Sequence, residues 1–199
     1  IAKNFMDVDT VIPAMLLNAG GTQLHVGILT AIMIGGSRFS QLFFAPAVSG
    51  ITRKKAWLLG GINMRILSLA AIGILFLSLS SLNTSMLIAL IFIIITVFSL
   101  SGAFANIPYT DILGRSIRDS RRKQFFSLKQ IISSAGIFGS AFFVREVLNR
   151  YAYPENYSRV FFYAAGFLFL SILGFWALRE FVPKDFKAGK ESFNTVFRE

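Results

Sequence analysis

Long apolar runs alternate with short polar gaps along this chain. A helix needs about 20 apolar residues to cross the hydrocarbon core of a bilayer. Five runs reach roughly that length: 25 to 50, 56 to 79, 85 to 107, 125 to 147 and 159 to 178. A sixth, 1 to 18, is convincingly apolar only in its second half. The gaps "NAGGTQ" (18–23), "SSLNT" (80–84) and "NRYAYPENYS" (149–158) are short and rich in turn formers, and none resembles a domain linker. The pattern predicts an all-α membrane protein, with six transmembrane helices over 1–180 and a polar cytoplasmic segment over 181–199. The first segment carries two Asp and no small-residue cleavage site, so it does not read as a secretory leader.

Composition agrees with this reading. Hydrophobic residues make up 54% of the 199 positions, 22 of them Phe, against 15% charged. That is more apolar surface than a soluble domain of this length hides. The net charge of +10 does not indicate nucleic acid, because the Lys and Arg cluster in gaps between apolar runs instead of along a solvated face. With no Cys at all, disulfides, thiol catalysis and thiolate metal sites are excluded.

Basic residues in short loops stay on the cytoplasmic side, and they alternate here. Arg53, Lys54 and Lys55 follow the second run; Arg115, Arg118, Arg121, Arg122 and Lys123 follow the fourth; Lys184, Lys187, Lys190 and Arg198 follow the sixth. The "NAGGTQ" and "SSLNT" gaps hold none. Both ends of the six-helix unit are therefore expected in the cytoplasm, in a multi-pass protein of the cytoplasmic membrane. His25 is read as an interfacial residue at a helix end. Small-xxx-small pairs at Ala31/Gly35, Ala135/Gly139 and Gly136/Ser140 predict close contacts made by the second and fifth helices.

Charges at mid-depth carry the functional expectation, since each costs a few kcal/mol in hydrocarbon and so has a partner or a task. If the first helix ends near Asn18, Asp7 and Asp9 lie near the midplane, and the helix would extend upstream of Ile1, so the chain is expected to lack its natural N-terminus. If the helix starts at Ile1 instead, both acids form a solvated helix start. Arg38 and Arg65 lie about halfway along their runs. Asp7 or Asp9 is expected to pair with Arg38 or Arg65, and with Gln41 these residues form the candidate substrate- or proton-binding set. Pro108 favours a kink at the end of the fourth helix. Asp111, one turn beyond, can reach Arg53, Lys54 and Lys55, and with Arg115 these are the candidate cytoplasmic gate. Lys129 is expected to snorkel.

These residues carry a resemblance. The stretches "FMDVDTVIPAMLLNAGGTQLHVGILTAIMIGGSRFSQLFFAPAVSG" (5–50) and "DILGRSIRDSRRKQFFSLKQIISSAGIFGSAF" (111–142) resemble the first-to-second and fourth-to-fifth helix segments of the N-terminal half of major facilitator superfamily transporters. Of that family's loop motif the basics survive at Arg53 and Lys54, while Ser49 stands at the motif's Asp and Thr52 at its second Gly. The resemblance implies alternating-access transport of a small solute, two six-helix halves around a midplane site, and a second half in the same chain or a second copy. It implies no metal or cofactor. An embedded enzyme lacks support, because there is no H-E-x-x-H spacing and no glycine-flanked nucleophilic Ser. A non-transporting membrane scaffold would share the helices but would not need the mid-depth charges.

Overall fold

A computed structural model describes residues 5–49, 51, 54–79, 82–117 and 119–177. Six helices account for nearly all of them: α1 (Val11–Asn18), α2 (Gln23–Ser49), α3 (Lys55–Leu77), α4 (Thr84–Ser116), α5 (Asp119–Arg150) and α6 (Glu155–Ala177). No strand occurs among the described residues. Within α3, α4, α5 and α6 lie stretches of 23, 31, 31 and 22 residues that are long and apolar enough to cross a membrane. These helices make the chain membrane-spanning in character.

The helix ends follow local chemistry. Asn83 caps α4, its Oδ1 accepting from the Met86 N–H at 2.7 Å. Thr22 and His25 cap α2 reciprocally: the Thr22 N–H donates to His25 Nδ1 at 3.0 Å, and the His25 N–H donates to Thr22 Oγ1 at 3.5 Å. That is a capping box with a histidine in the usual Glu position. His25 is thus a helix-end residue with a defined structural role.

Three boundaries differ from the sequence expectation. The first helix starts at Val11, whereas Phe5 and Met6 form a 3₁₀ turn and 8–10 a further turn. Pro13 accounts for this. In a helix begun upstream it would sit in the interior, losing a hydrogen bond and pressing on the Asp9 carbonyl at a cost of about 3 kcal/mol. Beginning at Val11 places it in the first turn, where the N–H has no intrahelical acceptor anyway. The fourth helix continues through Pro108 to Ser116, and α5 starts at Asp119, so most of the expected basic loop is helical. Arg and Lys are good helix formers. At 1.5 Å per residue the 32 residues of α5 extend about 48 Å, well beyond an apolar core of about 30 Å.

The packed centre is α3 against α4 and α6, with α2 along α4. Its main cluster joins Ile12, Met15 and Leu16 of α1 to Leu69, Ile72 and Phe76 of α3, Ile91 and Ile95 of α4, and Val160 and Phe161 of α6. A second cluster, Leu58, Ile62, Ala105 and Ile172, closes the other end. Polar ties cross between helices: Ser158 Oγ donates to the Gly73 carbonyl at 2.8 Å, and Asn18 Nδ2 to Tyr157 Oη at 2.9 Å.

The expected close contacts of α2 and α5 are not where the small residues have their effect. α5 touches chiefly α6, and an added Cβ at Gly35 or Gly139 would meet nothing within 4 Å. The tight approach is between α3 and α4, where a Cβ on Gly61 would lie 2.8 Å from Ala105 Cβ and 3.0 Å from the Ser101 carbonyl oxygen. Small residues permit approach; the large buried side chains of α3, α4 and α6 decide where it happens. Gly61→Leu is expected to destabilise by about 1–3 kcal/mol through overpacking. Gly60→Ala, which faces open space, should instead gain up to about 1 kcal/mol of helix propensity. Thermal midpoints of the purified protein check both, and equal shifts would contradict the assigned packing.

Candidate functional site

The basic end of the bundle is stitched together by charge. Lys54, the N-cap residue of α3, places Nζ 3.0 Å from Asp111 Oδ2 on α4. Its side chain is 6% exposed and that of Asp111 31%, so the pair is largely withdrawn from solvent. Lys55 donates through Nζ to the Trp176 carbonyl at 2.8 Å, putting a cation at the negative end of α6. The start of α3 is therefore held to α4 and α6 together. Aromatic rings reinforce it: Phe104 of α4 packs edge-on to Phe44 of α2 at 5.2 Å and tilted against Trp57 of α3 at 5.3 Å. Lys129 does not extend alone, since its ammonium lies 5.0 Å from the centre of the Tyr109 ring and 5.8 Å from that of Phe126. Arg53 falls outside the described residues, as do the side chains of Gln41 and Arg115.

Deeper in the bundle, Arg65 lies on α3 about 15 Å from its Lys55 end. Its guanidinium carbon is 4.3 Å from the centre of the Phe98 ring on α4. Gly102, one turn further along α4, leaves room for it; a Cβ there would stand 3.4 Å from Arg65 Nε. That Nε is buried and has no hydrogen-bond partner among the described residues. The Phe98 ring face lies against this charge, a contact that supplies about 2 kcal/mol when desolvated.

The expected mid-depth pairing of aspartate with arginine is not formed. Arg38 and Asp9 are exposed, and neither Asp7 nor Asp9 is ion-paired with Arg38 or Arg65 among the described residues. The cause is the late start of α1. With residues 5–10 in turns, Asp7 Oδ1 is occupied locally by the Asp9 N–H at 3.1 Å and the Thr10 hydroxyl at 2.8 Å. The acid then faces α5, where it shares a cavity of about 490 Å³ with Thr10, Val144, Arg145, Leu148 and Asn149.

No protein-family model, curated protein or solved structure matches this chain. Its site is therefore argued from chemistry. Among the described residues no group of three or more His, Asp or Glu is placed to hold a metal. What the arrangement offers is a latch-like ion pair at one end, an under-compensated arginine at depth, and an acid and a base across a cavity. Arg145, near the end of the fifth run beside Glu146, was not singled out by sequence reasoning. Its position on the same cavity as Asp7 brings together residues far apart in the chain, and no local pattern encodes that.

Proposed function

We propose that this chain is one six-helix half of a secondary transporter of the major facilitator type, moving a small solute by alternating access in the cytoplasmic membrane. The observation that carries the reading is Arg65. A static scaffold gains nothing from an arginine set about 15 Å along a spanning helix with its Nε buried and unpartnered among the described residues. A transporter does gain, because such a group acquires a partner when substrate or the second half closes over it. The Lys54–Asp111 pair and the Lys55–Trp176 bond then serve as a cytoplasmic latch, which must open for that side of the pathway to admit water. Asp7, turned into a cavity, is the acid best placed for proton coupling. The partners in this reading are lipid, the solute and a second six-helix half, and both ends of the unit face the cytoplasm.

No Cys occurs in these 199 residues, so cysteines placed here report on their own positions once any Cys elsewhere in the protein is replaced by Ser. Single cysteines at positions 7, 38 and 65 of the full-length protein, in right-side-out and inverted vesicles, should react with a membrane-impermeant maleimide. Labelling of at least one of them from each side is expected, since alternating access exposes the pathway in turn. Three positions inert from both sides would overturn transport in favour of a scaffold.

A further inference from the structure

The cavity between the start of α1 and the far end of α5 has a volume of about 490 Å³, inside the range of roughly 300–1,000 Å³ that suits small ligands. Most of its wall is apolar, from Val11, Ala14, Val144 and Leu148. Two opposite charges stand on that wall without meeting. Asp7 and Arg145 do not form an ion pair, and neither is ion-paired elsewhere among the described residues. The carboxylate is nevertheless oriented: Oδ1 is held by the Asp9 N–H and the Thr10 hydroxyl, at 3.1 and 2.8 Å, which leaves Oδ2 available as an acceptor. On the α5 side, Asn149 lies one turn beyond Arg145 on the same face and adds an amide.

An apolar pocket with a fixed carboxylate on one wall and a guanidinium on the other is complementary to a particular chemistry. We propose that this cavity binds a zwitterion with an apolar body, its ammonium on Asp7 and its anionic group on Arg145. A guanidinium suits either a carboxylate or a phosphate through paired N–H donors. Two sources carry such a group: a free apolar amino acid and an ethanolamine phospholipid headgroup. The inference deepens the transport reading by giving a substrate class, and it rests on that reading only for the claim that the bound molecule moves.

The test uses the purified full-length protein in maltoside micelles and equilibrium binding of two probes, L-leucine and a short-chain phosphatidylethanolamine. Saturable binding of at least one is expected. Asp7→Asn and Arg145→Gln should each weaken it tenfold or more, while Arg145→Lys retains part of it and all three variants keep the parent's thermal midpoint. Leucine binding assigns the site to a solute, and binding of the phospholipid alone assigns it to lipid; either supports the site. Saturation by neither probe, or parental affinity in both Asp7→Asn and Arg145→Gln, overturns it. Binding that persists while positions 7, 38 and 65 are inert to maleimide would remove transport and leave the site standing.

Discussion

Replacing Arg65 by methionine is expected to make the protein more stable and to stop the transport cycle we propose for it. Arg65 is half-buried, its buried Nε has no hydrogen-bond partner among the described residues, and the Phe98 ring lies 4.3 Å from the guanidinium carbon. A central arginine costs about 2.5–3.5 kcal/mol on insertion scales, against about 2 kcal/mol returned by a desolvated cation–π contact. Methionine keeps the length, fills irregular space and makes a favourable sulfur contact with an aromatic ring. A net gain of about 1 kcal/mol follows, which for a chain of this size raises the thermal midpoint by roughly 2–4 °C. The same substitution removes the charge that substrate or the second half is proposed to meet, so cysteine labelling at position 38 should become one-sided. A stability gain with lost function is the signature of a strained functional group. A fall of several degrees would show instead that Arg65 is structural and that a partner for it lies outside the described residues. Arg65→Lys separates charge from shape: it keeps the cation but not the planar group that stacks on Phe98, so it should show no gain.

The second large effect is expected at the opposite kind of charge, one that is well paired. Lys54→Met leaves Asp111 facing a covered site without its ammonium partner. Removing one member of a fully buried pair costs about 3–5 kcal/mol; with Asp111 31% exposed, solvent relieves part of this, and about 1–3 kcal/mol is the expected loss. Adding Asp111→Asn should recover more than half of it, because the second substitution removes the carboxylate that Lys54 had faced. The double-mutant cycle on thermal midpoints measures the coupling directly. In vesicles, both single variants should increase maleimide labelling from the face we propose to be cytoplasmic, since the proposed latch no longer holds α3 to α4. Additive losses would dissociate Lys54 from Asp111, and unchanged labelling would reduce the contact to a static tie.

The contrast between these two lysine and arginine sites shows how far a sequence can be read. That both are exceptional was visible in the chain itself, because a charge in or beside an apolar run is conspicuous whatever the fold. Asp111 as a partner for the basic loop was also expected, since it stands one turn past Pro108 at the end where loops of that sign collect. The local signal was misleading at Asp7. Read as a residue of a continuous helix, it points toward other mid-depth charges; as the acceptor of a turn before Val11, it points at α5.

Residue order by itself determined what depends on short-range periodicity and on water's preference for polar groups: an all-helical, membrane-spanning chain, the approximate runs, and the clustering of cations in the gaps. Pro13 and Pro108 show the boundary of that information. Both are helix breakers in isolation, yet the chain starts a helix two residues before the first and carries one through the second. The difference lies in what each would disrupt among its neighbours. Only the tertiary structure decided that Gly61 and not Gly139 is a close-approach point, that Phe98 and not an aspartate faces Arg65, and that Arg145 stands across from Asp7. The physical reason is common to all three. Helix periodicity assigns a side chain to a face, but which helix lies against that face is set by the joint packing of large side chains from α3, α4 and α6, and no single run encodes that arrangement.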